Sequence, residues 1–239
     1  MAELIREPLF YIFFVYGLSF LSMAYFMFIA TGIRKASRLE LVSTFRLLAA
    51  FGFFHGMTEL AEWIRFIFRS ADISEVKALI YMSQGFLLIS FVALLQFSVN
   101  LLTFNAKSRQ ILRYLPSAFL ILYVAFLSIT GGIESALALG RIGVRMLGFT
   151  SSALSGIVLV RFSQGLRPSG NMKLANGFLL AGLGFVIFSA FAGQEHGIFL
   201  GLPVQLYRAM CAFAIAISSF YVLDVFRIKE PAGIGLENS

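Results

Sequence analysis

Residues 9–33 read LFYIFFVYGLSFLSMAYFMFIATGI, a run of 25 positions without one Asp, Glu, Lys or Arg. As an α-helix this run extends about 38 Å at 1.5 Å per residue, enough to cross a hydrocarbon core of about 30 Å. It is too long for the apolar centre of a cleavable signal peptide, so it reads as a first membrane helix. A helix is the expected form, because backbone N–H and C=O groups cannot be left unbonded in lipid.

Working outward, six more apolar stretches follow, and the expected spans are 8–32, 44–68, 77–104, 113–131, 139–162, 174–193 and 202–226. Composition agrees: 59% of the 239 residues are hydrophobic, only 13% are charged, and mean hydropathy is +0.87. The expected fold class is an all-α integral membrane protein, a seven-transmembrane helix bundle forming one domain over residues 1–230. Residues 231–239 form an unpatterned tail. Gly131-Gly132 and Pro168-Ser169-Gly170 read as turns.

Charge orients the bundle. The net charge of +7 comes from basic residues scattered among the breaks, a pattern of membrane topology rather than of nucleic-acid binding. Arg34, Lys35 and Arg38, then Lys107, Arg109 and Arg113, then Arg161, Arg167 and Lys173, then Arg227 and Lys229, alternate with breaks carrying Asp72, Glu75 and Lys77, then Glu134, then Glu195. The positive-inside rule therefore places the N-terminus outside and the C-terminus in the cytoplasm. The lone Cys211 excludes disulfides and multi-thiolate metal sites within the chain.

Ionisable groups within a span are costly and mark the bundle interior or a site. His55, Glu59 and Glu62 stand at i, i+4 and i+7 of the second span, on one helical face, with Arg65 continuing near that stripe. Arg141 and Arg145 enter with the fifth span, Gln205 and Arg208 with the seventh, and Gln84 and Gln194 fall at comparable depth. Two readings stay open. The set forms an outward-facing polar pocket between helices 2, 5 and 7, whose guanidiniums could receive an anion, or it is a structural ion-pair network. The pocket reading assigns ligand binding to His55, Glu59, Glu62, Arg145, Gln205 and Arg208.

His55 and Glu59 also have the i, i+4 spacing of two metal ligands on one helix turn, and His55 with His196 could hold a haem if the last outer loop folds inward. A hydrogen bond from His55 to a nearby carboxylate is the plainer alternative. All five lysines lie outside the span centres, so a retinal Schiff base on the seventh helix is excluded. No nucleophile with its own base and no histidine-rich metal cluster is apparent, which argues against metal-type intramembrane hydrolases. A membrane enzyme using Glu59 or Glu62 as base is a third class that nothing in the spacing demands, so no enzyme is expected within this chain. Gly177, Ala181, Gly182 and Gly184 point to close helix packing.

The stretch Phe54-His55-Gly56-Met57-Thr58-Glu59 with Glu62-Trp63, and the stretch Gly201-Leu202-Pro203-Val204-Gln205-Leu206-Tyr207-Arg208-Ala209, resemble the N-terminal seven-helix sensory domains of bacterial membrane histidine kinases. Leu60 stands where that pattern carries Trp. The resemblance implies signal transduction in a two-component system of the bacterial inner membrane. The outer pocket would receive a small-molecule or cofactor-borne signal, and helix 7 would carry it to a cytoplasmic transmitter in cis, in a homodimer. The competing class is a small transporter or channel using the same intramembrane charges; few polar groups on helices 2, 5 and 7 below that level, with Gln96 and Asn100 on helix 3, make a continuous path poorly supported.

Overall fold

The computed structural model describes residues 6–32, 39–68, 73–102, 112, 114–129, 133–192 and 197–227. Among them are seven long α-helices: α1 (Arg6–Gly32), α2 (Leu39–Ile67), α3 (Ile73–Leu101), α4 (Leu115–Ile129), α5 (Ile133–Leu166), α6 (Met172–Ala192) and α7 (Val204–Arg227). Five of them contain stretches long and apolar enough to cross a membrane: Leu9–Ile29, Lys77–Leu101, Gly143–Leu166, Met172–Ala192 and Val204–Tyr221. Helix α2 interrupts its apolar sequence with Arg46, Glu59, Glu62 and Arg65, and α4 offers only the shorter Pro116–Ala125. The chain is a multi-pass, all-α membrane protein.

Six helices close into a ring, α1–α2–α3–α5–α6–α7 and back to α1, while α4 packs on the outside of α3. The pairing directions follow from the contacts. Gly17 of α1 faces Gly56 of α2 while Phe20 and Met23 face Gly52, so these helices are antiparallel. Phe91 and Ser98 of α3 meet Gly148 and Ser155 of α5, so these two are parallel, as the intervening α4 requires. Tyr16 and Phe26 of α1 meet Arg208 and Phe220 of α7, so the ring closes with a second parallel pair.

The interior is aromatic, with Tyr16, Phe20, Phe51, Phe91, Phe97, Phe178, Phe185 and Phe188 essentially inaccessible. The outside is apolar too: Tyr11, Phe28, Ile121, Leu122, Met146 and Met210 are all exposed. An apolar exterior of this kind belongs against lipid tails. With lipid outside, burying apolar side chains gives little drive to pair helices, so close packing must hold them. A Cβ on Gly156 would lie 2.7 Å from the Gly182 carbonyl, and one on Gly184 would lie 2.8 Å from Ile215, so α6 meets both neighbours through the small residues singled out in its sequence.

The connections use turn chemistry. A 3-10 turn over Arg167–Ser169 ends α5, and Gly170 at φ 77° donates back to the Arg167 carbonyl before α6 begins. A short antiparallel hairpin, β1 (Ile198–Phe199) and β2 (Leu202–Pro203), precedes α7, with Leu200 at φ 48° and Gly201 at φ 79° at its tip. Positive φ at both tip positions is the geometry whose twist suits a two-residue hairpin. The hairpin marks the end of the bundle where α1 and α7 begin.

Candidate functional site

His55 lies near the middle of α2, wholly buried. Its neighbour Gly56 has no Cβ, and one built there would lie 2.9 Å from the Gly17 carbonyl. That close approach of α1 seats Tyr16 against His55, with Tyr16 Oη 3.0 Å from His55 Nε2. On the other side, His55 Nδ1 is 3.2 Å from Ser90 Oγ of α3. Five aromatic rings, those of Tyr16, Phe20, Phe51, Phe91 and Phe188, surround the imidazole at centroid distances of 4.6 to 5.9 Å.

One turn along α2, Glu59 is 3% exposed, and its Oε1 accepts from Arg208 Nη2 of α7 at 3.3 Å. Arg208, 8% exposed, also donates from Nε to Tyr16 Oη at 3.1 Å, and its guanidinium carbon sits 5.2 Å from the Tyr16 centroid and 5.9 Å from that of Phe188. The ion pair is thus held between rings that also favour the cation.

Counting donors gives the chain a direction. Ser90 Oγ donates its single proton to the Leu87 carbonyl at 2.7 Å, so it accepts from His55 Nδ1–H. His55 is then the Nδ1–H tautomer, and its Nε2 accepts the Tyr16 hydroxyl proton. Tyr16 Oη in turn accepts from Arg208. Arg208, Tyr16, His55, Ser90 and Leu87 form one oriented relay through four helices, anchored by Glu59, whose Oε1 lies 3.8 Å from His55 Nε2. Every named polar group is satisfied within the protein, as groups shielded from water require.

Sequence reasoning thus placed three members of the relay, His55, Glu59 and Arg208, and overlooked Tyr16 and Ser90. Glu62 belongs to a neighbouring cluster, with its Oε2 2.9 Å from Arg65 Nη2 and its Oε1 accepting from Ser83 Oγ at 3.0 Å. Gln205 is buried one turn before Arg208 on α7. Arg145 is half-buried on α5, whose principal neighbours are α3 and α6 rather than α2 or α7. Gln84 is half-buried on α3. His196, Gln194, Gly131 and Gly132 lie outside the described residues. Trp63 packs on Phe10 and Phe14 of α1 at 5.5 and 5.1 Å, and Gln96 donates to Asn100 at 2.9 Å within α3.

Both ring nitrogens of His55 are engaged and aromatic rings fill its surroundings, so ligation of a metal or haem iron there would break a relay bond and displace a ring. Among the described residues no three His, Cys, Asp or Glu side chains are grouped to hold a metal ion. Among the described residues, the surroundings of His55 hold no open coordination position for either group, and His196 lies outside them. What the arrangement can do is lock helices together through a charge pair and shift protons or bonds along an oriented path. Comparison with family models, curated proteins and solved structures gives no match.

Proposed function

We propose that this chain is the sensory input region of a bacterial signalling protein, crossing the cytoplasmic membrane seven times with its N-terminus outside. The hairpin end then faces outward, and α7 leads to a cytoplasmic transmitter in cis, of histidine-kinase type, in a homodimer. The observation that carries this reading is the relay itself. Through Arg208 it ties the outer part of α7 to α1 by Tyr16 and to α2 by Glu59. A small anionic ligand that competes with Glu59 for Arg208 would bind better to a state in which α7 has moved, and that differential affinity is what converts binding into a signal. The two sequence motifs resembling kinase sensory domains meet at this ion pair, which supports the same reading.

The test uses spin labels at Leu18→Cys on α1 and Phe213→Cys on α7, both exposed, in a Cys211→Ser background. Breaking the lock with Arg208→Met, which removes both the Glu59 and the Tyr16 bonds, is expected to change the inter-label distance, and a screen of anions and amino acids by thermal shift should yield a ligand that produces the same change. An unaltered distance in a folded Arg208→Met protein would refute the lock.

A transport reading draws on a different observation. In the half of the bundle away from the hairpin, Ser98 and Ser155 pair their hydroxyls at 2.6 Å between α3 and α5, and buried Ser152 and Ser163 find no hydrogen-bond partner among the described residues. Flux of protons or ions through liposomes bearing the protein, lost in Ser98→Ala/Ser155→Ala, would favour that class over sensing.

A further inference from the structure

A groove of about 500 Å³ runs between α1 and α2 in the half of the bundle away from the hairpin. Ala24 and Ala50 form part of its lining, beside the aromatic Tyr25, Phe28 and Phe53, which are exposed on the lipid-facing side. One charged residue, Arg46, lines it as well. Arg46 is exposed and makes no hydrogen bond or ion pair with any described residue. It stands seven residues into α2, about 10 Å from the helix start, and Phe54 at the far end of the groove is about 12 Å further along.

An arginine on a lipid-facing wall is costly unless it reaches a counter-charge. Its long apolar stem lets the guanidinium extend toward the nearer headgroup layer. There the planar fork matches the paired oxygens of a phosphate, while the groove beyond it is apolar and long enough to receive a hydrocarbon chain. A free aqueous anion would meet only aromatic and aliphatic walls. We infer that the α1/α2 groove binds one anionic phospholipid from the leaflet at this end, its phosphate on Arg46 and one acyl chain along the groove. This inference is independent of the sensory reading, since the groove lies away from the relay and is shaped by different residues of α1 and α2.

Native mass spectrometry of the full chain, released from micelles holding equal phosphatidylglycerol and phosphatidylcholine of matched chains, provides the test. The wild type is expected to retain phosphatidylglycerol preferentially. Arg46→Gln should lower that preference about tenfold, the equivalent of losing one charged hydrogen-bonding partner. Arg46→Lys should retain part of it, and Ala50→Phe, which fills the groove while keeping the charge, should lower occupancy of both lipids. Equal retention of the two lipids by the wild type would overturn the proposal. So would an unchanged preference in Arg46→Gln, or oleate retained in place of phosphatidylglycerol in a parallel arm. If Arg46→Gln does not fold, the ordering of wild type, Arg46→Lys and Ala50→Phe decides.

Discussion

Replacing Arg208 with Met keeps most of the volume and removes the charge, leaving the Glu59 carboxylate 3% exposed with no cation against it. Removing one partner of a buried ion pair costs about 3–5 kcal/mol. Arg208 also gives up its bond to Tyr16 and its position over the Tyr16 and Phe188 rings, which places the expected loss at the upper end of that range. Glu59→Gln is milder, because the amide oxygen can still accept from Nη2. The decisive quantity is the coupling in the double mutant. Neutral hydrogen bonds between membrane helices couple by only about 0.6 kcal/mol, whereas contacting groups in one charged network reach about 2–3 kcal/mol. The chain has one tryptophan, Trp63, which packs from α2 onto Phe10 and Phe14 of α1, so its fluorescence reports separation of those helices during an SDS titration in mixed micelles. A coupling of about 2 kcal/mol or more is expected. A value at or below about 0.6 kcal/mol would show that the pair contributes no more than an ordinary polar contact.

Tyr16→Phe removes the hydroxyl that bridges His55 and Arg208, leaving two buried polar groups short of a partner, and should cost about 1–3 kcal/mol in the same titration. Nitrogen-15 spectra of histidine-labelled protein should show His55 protonated at Nδ1, and Ser90→Ala should shift the proton toward Nε2; an Nε2–H tautomer in the wild type would reverse the direction assigned to the relay. Gly156→Ala places a methyl 2.7 Å from the Gly182 carbonyl and should destabilise by about 1–3 kcal/mol, whereas Gly165→Ala meets nothing within 4 Å and should stabilise by about 0.5–1 kcal/mol. Equal effects at the two sites would mean that α5 and α6 do not rely on close backbone approach. Leu200→Asn at the hairpin tip, where φ is 48°, should raise stability by up to about 1 kcal/mol, read by thermal unfolding in detergent.

Helix positions were legible because apolar runs report the thickness of a bilayer. Starts were less so: α2 begins at Leu39 against an expected 44, and α5 at Ile133 against 139, since the backbone ladder continues past the point where hydropathy falls. His55, Glu59 and Arg208 stood out as ionisable groups within apolar surroundings. Tyr16 did not, because a phenol among phenylalanines carries the same hydropathy signal whether it packs or donates. The only sequence cue to it was Gly17 beside it, and that cue acquires meaning once Gly56 is known to face it. Ser90 was masked by the habit of membrane serines to bond their own helix, which it also does. Arg145 shows the converse limit, since equal depth in the membrane does not fix which helices stand side by side.

The ring closure of α1 onto α7 has a mechanical consequence. Held on one flank by α6, with Gly184 against Ile215, and on the other by α1, with Phe26 against Phe220, α7 behaves like a stave in a coopered barrel. It cannot hinge outward without opening two seams at once. The low-cost displacements left to it are a slide along its own axis and a twist about it, both of which arrive undiminished at its far end.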